Sequence, residues 1–108
     1  MIFDVNNIDL IAKRKDGGVD LFIISSGEID ASAETQKLLI DKVDQYLGYI
    51  QSEEFKKEFS DIKVKKIMII FELEENPPEL LLELCKKIMP WVEDNGAQFL
   101  VRCKENIL

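Results

Sequence analysis

Five consecutive apolar residues, Ile67 to Phe71 in "KVKKIMIIFELEE", restrict this chain more than any other stretch. The run is too short for a free-standing helix and rich in residues that suit strands. It reads as a strand buried on both faces, at the centre of a sheet whose surfaces need cover. The neighbours follow from the flanking sequence. "IDLIAKRKDGGVDLFIIS" sets two strand-like runs about Asp16-Gly17-Gly18, where glycines supply the positive φ of a tight antiparallel hairpin. From Ser32 the rhythm becomes helical. Leu39, Val43, Tyr46, Leu47 and Ile50 form one stripe, which predicts a covering helix from about Ser32 to about Gln51.

"SEEFKKEF" predicts a further helical turn or two that tucks Phe55 and Phe59 under the fold. "NPPELLLELCKKIMPWVEDNG" predicts a second main helix with Asn76 and Glu79 as a capping pair and Asn95-Gly96 as its stop. Pro90 removes a backbone donor inside it and predicts a kink or a break. "AQFLVRCK" alternates and makes a last strand.

The order ββαβαβ predicts an α/β (α+β) two-layer sandwich, a mixed four-stranded sheet in a single domain over residues 1–108. With spatial order 1-2-3-4, right-handed crossovers put the helices mainly on one face. The predicted core side is Ile8, Leu10, Ala12; Val19, Leu21, Ile23; Ile67, Ile69, Phe71; and Phe99, Val101, Cys103. The opposite side carries Ile11, Phe22, Ile24, Met68, Ile70 and Leu100, a candidate apolar interface. A partner or a second copy covers it, or the chain does so itself with the segment around Phe55 and Phe59, the end bearing Trp91, or the tail Ile107-Leu108, or else the strand order differs.

Charge narrows the function classes. With 14 basic and 21 acidic residues the formal net charge is -7, which repels a phosphate backbone and argues against nucleic acid. No secretory pattern is visible and no apolar run approaches the roughly 20 residues of a membrane span, so a cytoplasmic chain without membrane contact is expected. There is no His, and Cys85 and Cys103 are the only cysteines, too few ligands for the usual tetrahedral zinc site. Serine and cysteine nucleophiles lack their commonest base, and no G-x-S-x-G, phosphate loop or S-x-x-K occurs. A non-enzymatic protein without metal or cofactor is expected.

Charges also sort by end. Lys13, Arg14, Lys15, Lys63, Lys65 and Lys66 fall at the starts of the parallel strands, with Lys86 and Lys87 near the end of the second main helix. Glu28, Asp30, Glu72, Glu74 and Glu75 fall at the carboxyl ends, where open α/β sheets keep ligand sites. They read as a dock for a basic protein or a hard-cation site, or as complements to the helix dipoles; the lack of EF-hand spacing argues against the metal. "SSGEIDASAE" reads as a strand exit, with Gly27 giving backbone freedom, Ser32 or Asp30 as the helix cap and Glu34 in the first turn.

The segments "LLIDKVDQYLGYIQSEE" and "KVKKIMIIFELEENPPELLLEL" resemble a family of small bacterial proteins of unknown function, with the likeness running from about Asn7 to about Cys103. The resemblance implies a hairpin, a leucine-rich helix, an apolar strand and a Pro-started helix, and it implies no activity. "GEIDASAET" is similar to the start of the first helix in STAS anti-sigma-factor antagonist domains. Where those domains carry a phosphorylatable Ser, this chain reads "FELEENPPE". The expected function is a non-catalytic interaction module, an acidic partner or inhibitor of a basic protein. The alternative is a self-associating scaffold, a homodimer using the open sheet face.

Overall fold

The computed structural model describes residues 4–61, 66–103 and the backbone of 106–107. The elements are β1 (Leu10–Lys13), β2 (Val19–Ser25), α1 (Ala33–Ile50), α2 (Glu53–Glu58), β3 (Ile67–Leu73), α3 (Glu79–Asp94), β4 (Gln98–Cys103) and β5 (Asn106–Ile107). The sheet order is β1-β2-β3-β4-β5. β2 pairs parallel with β3, and β3 with β4, while β1 and β5 run antiparallel to their neighbours. The ββαβαβ order and mixed sheet are as predicted, with α2 as the extra turn and the two-residue β5 added beside β4.

The core lies between the sheet and its helices. Val19, Leu21 and Ile23, Ile67, Ile69, Phe71 and Leu73, and Phe99, Val101 and Cys103 form one buried cluster with Leu39, Val43, Tyr46, Leu47 and Ile50 of α1 and Leu81, Cys85, Ile88 and Val92 of α3. Phe55 of α2 joins the same cluster, its ring edge-on to Tyr49 at 5.3 Å and tilted against Phe59 at 4.9 Å. Phe59 and Trp91 pack against this cluster too, so neither crosses to the other face of the sheet. The tail Ile107-Leu108 lies outside the residues whose side chains are described.

The register corrects the predicted phase of β1. Leu10 pairs with Phe22, Ile11 with Leu21 and Ala12 with Asp20, so Ile11 points to the helices while Leu10 and Ala12 lie on the helix-free side. Ile11 is thus a core-side residue and not part of the apolar interface; Leu10 takes its place. Ile8 precedes the strand and packs on the core from outside the sheet.

Two helix boundaries differ from expectation. α3 runs unbroken through Pro90, which is exposed, leaving the carbonyl one turn before it to the solvent side. Its N-cap is Pro78 with no side-chain cap, and the Asn76 side-chain Oδ1 instead accepts from Cys103 Sγ at 3.0 Å. At α1 the reading holds: Ser32 is the N-cap, its hydroxyl accepting from the Thr35 N–H at 3.2 Å, and Glu34 sits in the first turn.

Gly48 lies inside α1 on its exposed side, and a Cβ built there meets nothing within 4 Å. Glycine inside a helix costs about 0.5–1 kcal/mol relative to alanine. Gly48→Ala is expected to raise the urea unfolding free energy by that amount; a loss of stability would show a packing role for the bare Cα.

Candidate interaction face

The sheet registers lay out the helix-free side as rows. The middle row is Leu10–Phe22–Ile70–Leu100, apolar on all four strands. On one flank lie Ala12, Asp20, Met68 and Gln98; on the other, Ile24, Glu72 and Arg102. Phe22 and Ile70 are 9% and 4% exposed, Ile24, Met68 and Leu100 are half-buried, and Leu10 at the edge is 49% exposed. The available apolar surface is therefore a rim of four side chains around a largely shielded centre.

Two arginines bracket this row. Arg102 stands 5.6 Å over the Phe22 ring, within cation–π range, and its Nε and Nη2 both donate to Glu72 Oε1 at 3.0 and 2.7 Å. Across the face, the Arg14 guanidinium donates from Nε to Asp16 Oδ1 at 3.1 Å, from Nη1 to the Asp20 carboxylate, and from Nη2 to the Lys66 carbonyl at 2.8 Å. Gly18 makes room for it: a Cβ there would lie 1.9 Å from Arg14 Nη2 and 2.6 Å from the Lys66 carbonyl oxygen. Of the two hairpin glycines, only Gly17 uses a positive φ, +88°. Gly18 is required as clearance.

These pairs correct the picture of two oppositely charged ends. At the supposed basic end Lys13 meets Asp61 at 3.3 Å, Lys66 meets Asp16 at 3.8 Å and Arg14 is held by Asp16 and Asp20. Lys63 and Lys65 lie outside the described residues. The last turns of α1 and α3 carry no basic residue, so in these two helices only the acidic half of the dipole complement is present, as Glu34 and Glu79; the short α2 carries both, with Glu53 and Glu54 first and Lys56 and Lys57 last.

At the other end the five carboxylates are not one cluster. Glu72 lies inside β3 on the helix-free side, bound to Arg102. Glu74 Oε2 accepts from the Gly27 N–H at 2.8 Å, clamping the β2 exit, where Gly27 takes φ +72°. Asp30 accepts from the Thr35 hydroxyl and from the Ser32 N–H and hydroxyl, contacts that hold its carboxyl below the usual aspartate range. Glu28 and Glu75 alone are exposed without a hydrogen bond or ion pair to the described residues. At the ends of β2 and β3 is a shallow hollow of about 200 Å³ lined by Ile24, Ser25, Ser26, Glu72, Leu73 and Glu74. Among the described residues no group of three or more His, Cys, Asp or Glu is placed to hold a metal ion.

A family model described as "Family of unknown function (DUF6572)" matches residues 1–105. The chain belongs to that family. No curated protein and no solved structure matches it. Among the described residues of this DUF6572 chain, no helix is long and apolar enough to cross a membrane.

The DUF6572 chain also holds a buried polar network that its sequence pattern does not announce. Lys42 of α1 is fully buried and its ammonium lies 2.8 Å from Asp9 Oδ1, with a further bond to the Asp4 carbonyl. Asp9 Oδ2 accepts from the Ile24 N–H at 2.9 Å, and the Asp9 N–H donates to the Tyr46 hydroxyl at 3.0 Å, which in turn donates to the Phe22 carbonyl. Burial works to raise the Asp9 pKa, but the Ile24 N–H and Lys42 outweigh it and hold the carboxyl below its ordinary value. Burial pushes the Tyr46 hydroxyl well above the usual phenol range and the Cys85 thiol up to about 12, the reverse of what a nucleophile needs. Lysine in a helix reads as solvated, and Asp9 is 33 residues upstream; no local signal links them.

Proposed function

We propose that this chain is a non-catalytic protein-interaction module that works through the helix-free face of its sheet. The observation that carries the reading is the apolar row Leu10–Phe22–Ile70–Leu100, which no helix among the described residues covers and whose rim stays accessible. Such a face is stable in water when its exposed part is small, as here, and gains by contact with another apolar surface. Oxidation by dilute peroxide tests it, because Met68 lies on this face and Met89 on α3. The Met68-to-Met89 oxidation ratio is expected to be several-fold lower in intact cells than in dilute purified protein; an unchanged ratio overturns the reading.

A second reading, an acidic partner or inhibitor of a basic protein, is favoured by the net charge of -7 and by the exposed Glu28 and Glu75, which make no hydrogen bond or ion pair to the described residues. Its signature in the same samples is different: carbodiimide labelling of Glu28 and Glu75 is suppressed at low salt and restored at moderate ionic strength, while Met68 stays reactive.

A further inference from the structure

We propose that Asn95-Gly96, where α3 hands over to β4, is a site of spontaneous deamidation that the fold keeps shut and that opens by local release of the α3 end. The chemistry needs only this dipeptide and water. The Gly96 backbone nitrogen attacks Cγ of the Asn95 side chain, the Cγ–Nδ2 bond breaks, and Nδ2 leaves as ammonia with the proton that the Gly96 nitrogen gave up. Water then opens the five-membered imide at either carbonyl, leaving aspartate or isoaspartate at position 95. Glycine suits the step because no side chain hinders its nitrogen or its backbone rotation.

Three features of the closed turn oppose it. The first is the backbone angle. Ring closure needs the Asn95 Cβ and the Gly96 nitrogen on the same side of the Cα–C bond, but at ψ -3° short of twenty, that is ψ 16°, the Gly96 nitrogen nearly eclipses the Asn95 backbone nitrogen. Cβ stands about 120° from that backbone nitrogen around a tetrahedral Cα, so a rotation of at least this size comes first. The second is the nucleophile. The Gly96 N–H donates to the Glu93 carbonyl at 3.1 Å and the following Ala97 N–H to the Val92 carbonyl at 3.2 Å, bonds that the rotation breaks. The third is the leaving group. Asn95 Nδ2 donates to the Trp91 carbonyl at 2.8 Å, and Oδ1 accepts at 3.2 Å from Nε2 of Gln51, just past the end of α1.

The gate is local. Asn95 and Gly96 are half-buried and Gln51 is exposed, so the last turn of α3 and its clasp to α1 belong to the part of a fold that opens most cheaply. Conversion is also one-way. The product carboxylate has no proton for the Trp91 carbonyl and joins Glu93 and Asp94 at the negative end of the α3 dipole. The isoaspartate form adds a backbone carbon to the turn as well. Neither product refits the closed geometry, so each conversion weakens the junction of α3 with β4.

Incubation of the intact chain at mildly alkaline pH, folded and in urea, tests the proposal, with Asn95 conversion followed by peptide mass spectrometry and isoaspartate detection. Conversion in the folded chain is expected to be at least tenfold slower than in urea. Gln51→Ala is expected to speed it severalfold in the folded chain while leaving the urea unfolding midpoint little changed. Gly48→Ala, whose added Cβ meets nothing within 4 Å, is expected to leave the rate unaltered. Equal rates in folded and unfolded chain would overturn the closed site. A folded-state rate that ignores Gln51→Ala, or that drops severalfold in the more stable Gly48→Ala variant, would overturn the local gate, because global unfolding alone would then expose the dipeptide.

Discussion

Lys42→Ala is expected to destabilise the protein by about 3–5 kcal/mol, the range for removing one member of a buried ion pair. The ammonium has no solvent exposure and the Asp9 side chain only 5%, so truncation leaves a desolvated carboxylate without this cation. The penalty belongs to the buried carboxylate deprived of Lys42 more than to the lost attraction. Lys42→Met together with Asp9→Asn is therefore expected to recover a large part of the loss, since volume is kept and neither charge remains. Urea unfolding of the two single variants and the double variant measures this; a double variant no better than Lys42→Met alone would refute the pairing account. The pH dependence has a definite sign. Asp9 is held below its ordinary value, so its contribution is complete above the unfolded-state value near 3.8 and is lost as the pH falls from there through the lowered native value. Stability of the Lys42→Met variant should fall less steeply over that acid range than that of the parent chain.

Gly18→Ala is the second large effect, expected at about 2–3 kcal/mol, at the upper end of overpacking costs. The added methyl meets both the Arg14 guanidinium, which can move, and the Lys66 carbonyl, which is backbone in the run-up to β3 and cannot move without disturbing the strand. Moving Arg14 away also leaves Asp20 without its partner. Gly17→Ala at φ +88° carries only the local cost of a left-handed backbone, about 1–2 kcal/mol. The order of the two variants in thermal unfolding is the check: Gly17→Ala as the more damaging one would mean that turn geometry and not clearance decides this hairpin. Adding Arg14→Ala to Gly18→Ala should relieve only the side-chain part of the clash.

What was legible in the sequence was what local pattern encodes. Ile67 to Phe71 marks a central strand because nothing polar interrupts it, and α1 follows from a stripe that repeats at the helical period and from Ser32 at its start. The phase of β1 was not legible, because "IDLIA" is apolar at both parities and the chain leaves the sheet before Leu10. Ile8 and Leu10 therefore do not continue one face. Register is set instead by the hairpin bond from the Arg14 N–H to the Gly18 carbonyl at 2.8 Å.

The same reasoning explains the misjudged ends and the missed network. Lys13, Arg14 and Lys66 look like a basic cluster in one dimension, but Asp16, Asp20 and Asp61 fold onto them. Carboxylates that stand close in sequence at the strand exits separate by direction, Glu72 towards Arg102 on the sheet face and Glu74 towards the Gly27 backbone. Long-range pairs such as Lys42 with Asp9 leave no periodic trace. A charged residue next to an apolar stripe is the normal edge of an amphipathic helix, and only the fold shows that this one points inward.

Side chains rivet both ends of the short border strand β1. Beyond its first residue, Asp9 seizes the Ile24 amide; beyond its last, Arg14 reaches over β2 to the backbone leading into β3. A four-residue ribbon at the margin of a sheet would ordinarily fray on its own at little cost. Here peeling it away also breaks the bonds that tie it to α1 and to the start of β3, so the margin costs more to open than its four residues alone would.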